Sequence, residues 1–133
     1  MFTRIVVGAA ETEAARKAID HAIDLAKLAG ADLHLVLAFD PYLDRIEPEK
    51  LPGSAHATEF LESIAAAAGD LTTRVHPVAG DPAQAILDVA RDVDADLIVV
   101  GNKGMQGPGR ILGSVTNTVS HHAPCSVLIV STT

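Results

Sequence analysis

"DPAQAILDVARDVDADLIVVGNKG", residues 81–104, decides how this chain folds. It opens with Asp81 as a helix N-cap and Pro82 at the first helical position, the arrangement that helix starts favour. It then runs into "DLIVV" (96–100), a nearly continuous apolar run of the kind expected for a strand covered on both faces. Directly after that strand comes Gly-x-x-Gly, residues 101–104. The stretch therefore predicts a helix, a buried strand and a glycine-rich turn, in that order.

The same alternation continues outward in both directions. "TRIVVG" (3–8), "DLHLVLAF" (32–39), "LTTRVHPV" (71–78) and "SVLIV" (126–130) read as further strands. Between the first two, residues 11–30 repeat apolar side chains at Ala15, Ile19, Ala22, Ile23 and Ala26 and stop at Gly30, a C-terminal cap. "ATEFLESIAAAAG" (57–69) behaves alike and ends at Gly69, and "SVTNTVSHHA" (114–123) predicts a short helix with Ser114 as its N-cap. Strands alternating with helices imply an α/β fold, a parallel sheet with helices on both faces. In such open sheets a ligand crevice lies beyond the carboxyl ends of the strands, where the winding reverses. Residues 40–54 form the one long irregular stretch, with Pro41, Pro48 and Pro52; a lid and a solvated connection are both open readings.

Composition narrows the function. The 133 residues suit one domain, expected over 1–133, and 48% are hydrophobic, which excludes disorder. No signal peptide or membrane-length apolar run is evident, and a lone Cys125 fits a reducing compartment, so the expectation is a cytoplasmic protein with no membrane partner. A formal net charge of −7 with Phe 3, Tyr 1 and Trp 0 argues against a nucleic-acid partner. The charge is unevenly spread: every carboxylate side chain lies at or before Asp96, while Lys103, Arg110, His121 and His122 follow it. The glycine-rich end is the region that would accept an anion.

That end, "GNKGMQGPGRILGS" (101–114), fits neither common phosphate fingerprint. No Gly-Lys-Ser/Thr follows the glycines, and "GPGRILG" (107–113) is one residue too long for G-x-G-x-x-G, which in any case belongs on a first strand. What remains is Gly-x-x-Gly, then Gly113–Ser114 opening a helix, where free N–H groups and a hydroxyl make a phosphate seat.

Together with the five-strand alternation, this resembles the universal stress protein family. The resemblance is carried by "RIVVGAAETEAARKAIDHAIDLA" (4–26), "AGDPAQAILDVARDVDADLIVVGNKG" (79–104) and "LGSVTNTVSHHAPCSVLIV" (112–130). It implies a three-layer open sheet of five parallel strands, order 3-2-1-4-5, helices on both faces, with the crevice between strands 1 and 4. It further implies ATP or AMP in that crevice, with or without Mg²⁺. By this resemblance the base and ribose lie near Gly8, Ala9, Ala10 and Phe39, and the phosphates near Gly101, Gly104, Gly113, Ser114 and Val115. Lys103 and Arg110 are either phosphate partners or solvated cations.

Two features depart from the family pattern. Eight residues rather than nine separate Gly104 from Gly113. Ala10 stands where many nucleotide-binding relatives carry Asp, leaving Glu11 or Thr12 to supply an acceptor. The alternative reading is thus a nucleotide-independent dimeric interaction protein whose loop is a remnant. Enzymatic turnover has no visible machinery beyond slow ATP hydrolysis, since the loop region offers Ser114 and Thr116 but no carboxylate. Adjacent His121 and His122 diverge on a helix and do not suit one metal ion. The last strand, 126–130, is apolar on both faces and unguarded by charge. In the implied order it is an edge, so it is expected to pair two copies into a homodimer.

Overall fold

The computed structural model describes residues 1–42, 52–103 and 112–131. Its elements run β1 (Arg4–Gly8), α1 (Glu13–Ala29), β2 (Asp32–Phe39), α2 (Ser54–Ala67), β3 (Thr73–Ala79), α3 (Pro82–Asp92), β4 (Leu97–Asn102), α4 (Ser114–His122) and β5 (Ser126–Ser131). Local chemistry sets several boundaries. The Thr12 hydroxyl accepts the Ala15 N–H at 3.1 Å to start α1, and Gly30, at φ 69, closes that helix in the left-handed region. Asp81 accepts the Gln84 N–H at 3.0 Å ahead of Pro82, as the sequence predicts for α3.

All five strands are parallel, in the order β3-β2-β1-β4-β5. Successive residues alternate between two cores. Ile5, Val7, Leu33, Leu35, Leu97 and Val99 pack beneath α1 and α2, while Val6, Val36, Ala38, Ile98 and Val100 pack beneath α3 and α4. Burial on both faces is why these strands read as unbroken apolar runs.

Some boundaries move. The helix expected from residue 57 begins at Ser54, within the stretch expected to be irregular, whose residues 43–51 lie outside those described. β3 starts later than expected, at Thr73, and reaches Ala79. β4 continues past Val100 to Asn102. Among the described residues no helix is long and apolar enough to cross a membrane.

The two central strands separate at one end. At their amino ends the Asp96 carboxylate accepts the Thr3 N–H (2.8 Å), the Thr3 hydroxyl (2.9 Å) and the Arg4 N–H (3.1 Å). The β1–β4 ladder then runs only from Ile5↔Leu97 to Val7↔Val99. Beyond it β1 stays with β2, through Gly8↔Val36 and Ala9 N–H to Val36 C=O at 2.8 Å. β4 meanwhile stays with β5, through Gly101↔Val130 and Asn102↔Ser131. Each strand follows its outer neighbour, and a gap opens where the strand order reverses.

Candidate functional site

That gap is a cavity of about 330 Å³, at the lower end of the roughly 300–1,000 Å³ usual for small-molecule sites. Gly8, Ala9 and Ala10 after β1 line it, with Val36, Leu37 and Ala38 of β2 and Val100 and Gly101 of β4. The first turns of three helices complete the wall: Thr12, Ala14 and Ala15 at α1, Pro82 and Ile86 at α3, Val115 and Thr116 at α4. The lining is small and apolar apart from the two threonine hydroxyls, and both are engaged. Thr12 caps α1, and Thr116 Oγ1 donates to the Gly101 carbonyl at 3.2 Å. A flat, weakly polar group such as a nucleobase suits this wall. Among the described residues no carboxylate lines it and no metal-ligand cluster occurs, so this described lining offers no protein ligands for Mg²⁺.

The site residues anticipated from sequence divide into four sets. Gly8, Ala9, Ala10, Gly101 and Val115 all line the cavity. Gly113, Ser114 and Lys103 are exposed and flank it on either side of the glycine-rich stretch without forming its wall. Phe39 does not line it either; its side chain packs against the α1–α2 core. Gly104 and Arg110 lie outside the described residues.

One local expectation is corrected. Ser114 is the first residue of α4 rather than its N-cap. Gly113 holds the cap position, in extended geometry, and supplies no side-chain cap bond. A serine belongs equally well one step inside a helix, and spacing alone does not separate the two positions.

The glycines also differ in why they are glycine. A Cβ at Gly101 would stand 2.2 Å from the Ala14 carbonyl oxygen and 2.7 Å from its carbon, so β4 and the first turn of α1 touch backbone to backbone. Among the described residues, a Cβ at Gly113 would meet only Asn102 Oδ1, at an ordinary 3.5 Å, and φ there is −63. Protein packing demands the first glycine but not the second.

Both candidate substitutes for the missing Asp already hold one hydrogen bond. Thr12 is the cap of α1, and Glu11 Oε1 pairs with His56 Nε2 on α2 at 2.5 Å. His121 and His122 turn back along α4, each Nδ1 donating to a carbonyl four residues earlier, Asn117 and Thr118, at 3.0 Å. Burial pushes the Cys125 thiol up from its ordinary value, with the Asp96 charge adding to the effect, which disfavours the reactive thiolate.

The sequence reading missed two polar groups. Asn102 is 3% exposed at the end of β4, on the face shared by Ile98 and Val100; a polar residue on that buried face signals a required partner. His34 (4% exposed) and His76 are hydrogen-bonded across β2 and β3, Nδ1 to Nε2 at 2.9 Å.

With this geometry in place, known proteins supply a frame. The model of the universal stress protein family matches residues 1–131. A universal stress protein of Mycobacterium tuberculosis is 35% identical over 147 aligned residues, spanning 99% of this chain and 98% of its own. The structure of a universal stress protein in complex with cAMP superposes with a TM-score of 0.78 at 32% identity, covering 99% of this chain and 98% of that one. The Archaeoglobus fulgidus universal stress protein in complex with dAMP gives a TM-score of 0.67 at 26% identity, with 96% of each chain covered.

Proposed function

The chain belongs to the universal stress protein family, and on that premise we propose that it is a stress-response module binding an adenine nucleotide, ATP or AMP, between β1 and β4. The observation that carries this reading is the small apolar cavity at the end of the β1–β4 ladder, with the first turn of α4 forming part of its wall. The base and ribose lie against Gly8, Ala9, Ala10 and Val36. The phosphates sit over Gly101, Ser114 and Val115, where the first N–H groups of α4 lack partners within the helix. Lys103 and Gly113 flank that anionic end, and Gly104 and Arg110, outside the described residues, are the further phosphate partners that the glycine-rich pattern suggests. Two relatives crystallised with cAMP and dAMP support an adenine nucleotide as the ligand class.

The test is thermal unfolding with ATP, AMP, cAMP or dAMP, each with and without Mg²⁺. A ligand at 100 times its Kd stabilises the fold by about 2.7 kcal/mol, a rise of several degrees. If none moves the transition at millimolar concentration, the second reading takes over: a dimeric interaction protein that does not use nucleotide. Its supporting observation is that Ala10 brings no side-chain acceptor to the cavity, while Thr12 already caps α1 and Glu11 pairs with His56.

Under either reading the partner is a second copy of this chain, joined through residues 126–130. β5 is an edge strand, no charged residue lies between Ser126 and Ser131, and Leu128 is 36% exposed. The opposite edge, β3, carries Arg74 and Pro77, which discourage pairing. Antiparallel pairing about a two-fold axis closes the assembly. Sedimentation showing a monomer of 13.8 kDa at micromolar concentration rules the dimer out.

A further inference from the structure

We propose that Asn102 is the positioning residue for the anionic end of this site: its buried side chain ties the start of the glycine-rich stretch to its end and so presets the first turn of α4 for a phosphate. The inference rests on the nucleotide reading above and goes beyond it by naming what holds the phosphate seat before any ligand arrives.

Asn102 closes β4 on the same face as Ile98 and Val100, where an unsatisfied amide would be costly. Its Oδ1 accepts the Gly113 N–H at 2.8 Å, and its Nδ2 donates to the Lys103 carbonyl at 2.5 Å. One neighbour is a donor and the other an acceptor, so the orientation of the amide is fixed by its partners. One side chain thus holds the residue just before 104–111 and the N-cap of the helix just after. Thr116 adds a second tie, from the first turn of α4 to the Gly101 carbonyl.

Two consequences follow for the site. The Gly113 N–H is already engaged, so an anion at this end is left with the N–H groups of Ser114, Val115 and Thr116. Those groups are held in place without a ligand, which removes part of the ordering cost of binding. The residue type matters as well. An aspartate would fit the same space, but it would set an acceptor against the Lys103 carbonyl and a negative charge beside the phosphate.

The experiment compares wild type with Asn102→Ala and Asn102→Asp. Calorimetric titration gives the affinities for AMP and for adenosine, which lacks the phosphate, and amide hydrogen exchange is read at Gly113. Asn102→Ala is expected to speed Gly113 exchange and to weaken AMP about tenfold, the worth of one net hydrogen bond, while adenosine changes less than about twofold. Asn102→Asp retains an acceptor for Gly113, so exchange there stays slow, yet AMP weakens more than adenosine and recovers partly at high salt. Should Asn102→Ala fail to fold, the near-isosteric Asn102→Asp carries the same comparison. Equal loss of AMP and adenosine, or unaltered Gly113 exchange in Asn102→Ala, overturns the positioning role while the nucleotide reading stands. A wild type that binds neither compound overturns both.

Discussion

The two ends of the β1–β4 seam are built in opposite ways. At the amino end, Asp96 gathers two backbone N–H groups and a hydroxyl from Thr3 and Arg4 and holds the strands together. At the carboxyl end the ladder stops at Val7↔Val99, the strands follow different neighbours, and alanine and glycine side chains leave a cavity. The contrast teaches that the opening is a property of strand order rather than of the loop alone. A strand between two parallel neighbours on a twisted sheet cannot follow both after the crossovers reverse, and the ligand space is what remains.

The sharpest way to break the comparison is at Gly101, where the open end is nevertheless tight on its α1 side. Gly101→Ala drives a methyl into the Ala14 carbonyl, a backbone atom that yields only if α1 moves. The expected loss is about 3 kcal/mol in urea unfolding, with nucleotide protection abolished. A wild-type midpoint would show that α1 is not held against β4 as described.

Next in size is the closed end. Asp96→Ala removes the acceptor for all of those hydrogen bonds and should cost about 1.5 kcal/mol, reduced from a buried value because the seam's edge meets solvent. It should leave nucleotide affinity nearly unchanged. Burial alone would raise the Asp96 carboxyl, but the bonds from Thr3 and Arg4 outweigh it and hold the group below its ordinary value. Its contribution is therefore complete above about pH 4 and fades as pH falls through the folded-state value. Acid titration of wild type against Asp96→Asn reads the difference.

A smaller effect lies outside both ends. Burial lowers the pKa of both His34 and His76; their proximity and the Arg74 charge add to it, while Asp32 and Asp92 oppose it. Groups with lowered folded-state values are protonated first in the unfolded chain, so stability is complete above about pH 6.5 and declines below it. The slope is at most about 1.4 kcal/mol per pH unit for each histidine. Melting curves between pH 7 and pH 5 check this, and the slope should vanish in the His34→Leu/His76→Leu double variant.

The smallest stability change is expected at Gly113. Among the described residues an alanine there meets no atom closer than 3.5 Å, so Gly113→Ala should alter stability by less than about 1 kcal/mol, the scale of a weaker N-cap. Nucleotide affinity should nevertheless fall, because the added methyl stands beside the proposed phosphate seat at the first turn of α4. Equal binding by wild type and variant would remove the phosphate from that position.

The architecture was legible because it is written in periodicity. Unbroken runs such as "DLIVV" announce strands buried on both faces, and Asp81–Pro82 and Gly30 mark helix ends by mechanisms that act within a few residues. The strand order, by contrast, came from family resemblance. The glycine pattern pointed to the carboxyl end of β4, where the β1–β4 cavity opens, but the reason for each glycine was only partly visible. Gly101 is glycine because Ala14, 87 positions earlier, presses on it, and no local signal carries that contact. Asn102 was passed over because a polar residue beside glycines reads as loop until β4 is seen to extend through it. Phe39 was placed by its position at the strand end, whereas its side chain faces the α1–α2 core.

The central claim, an adenine nucleotide at the open end of the β1–β4 seam, is tested most directly by a crystal structure of this protein grown with AMP. The account predicts the base over the carboxyl ends of β1 and β2, against Ala9 and Val36, with the phosphate within hydrogen-bonding distance of the Ser114 and Val115 N–H groups. Nucleotide bound elsewhere, or a phosphate seated away from the first turn of α4, would contradict it.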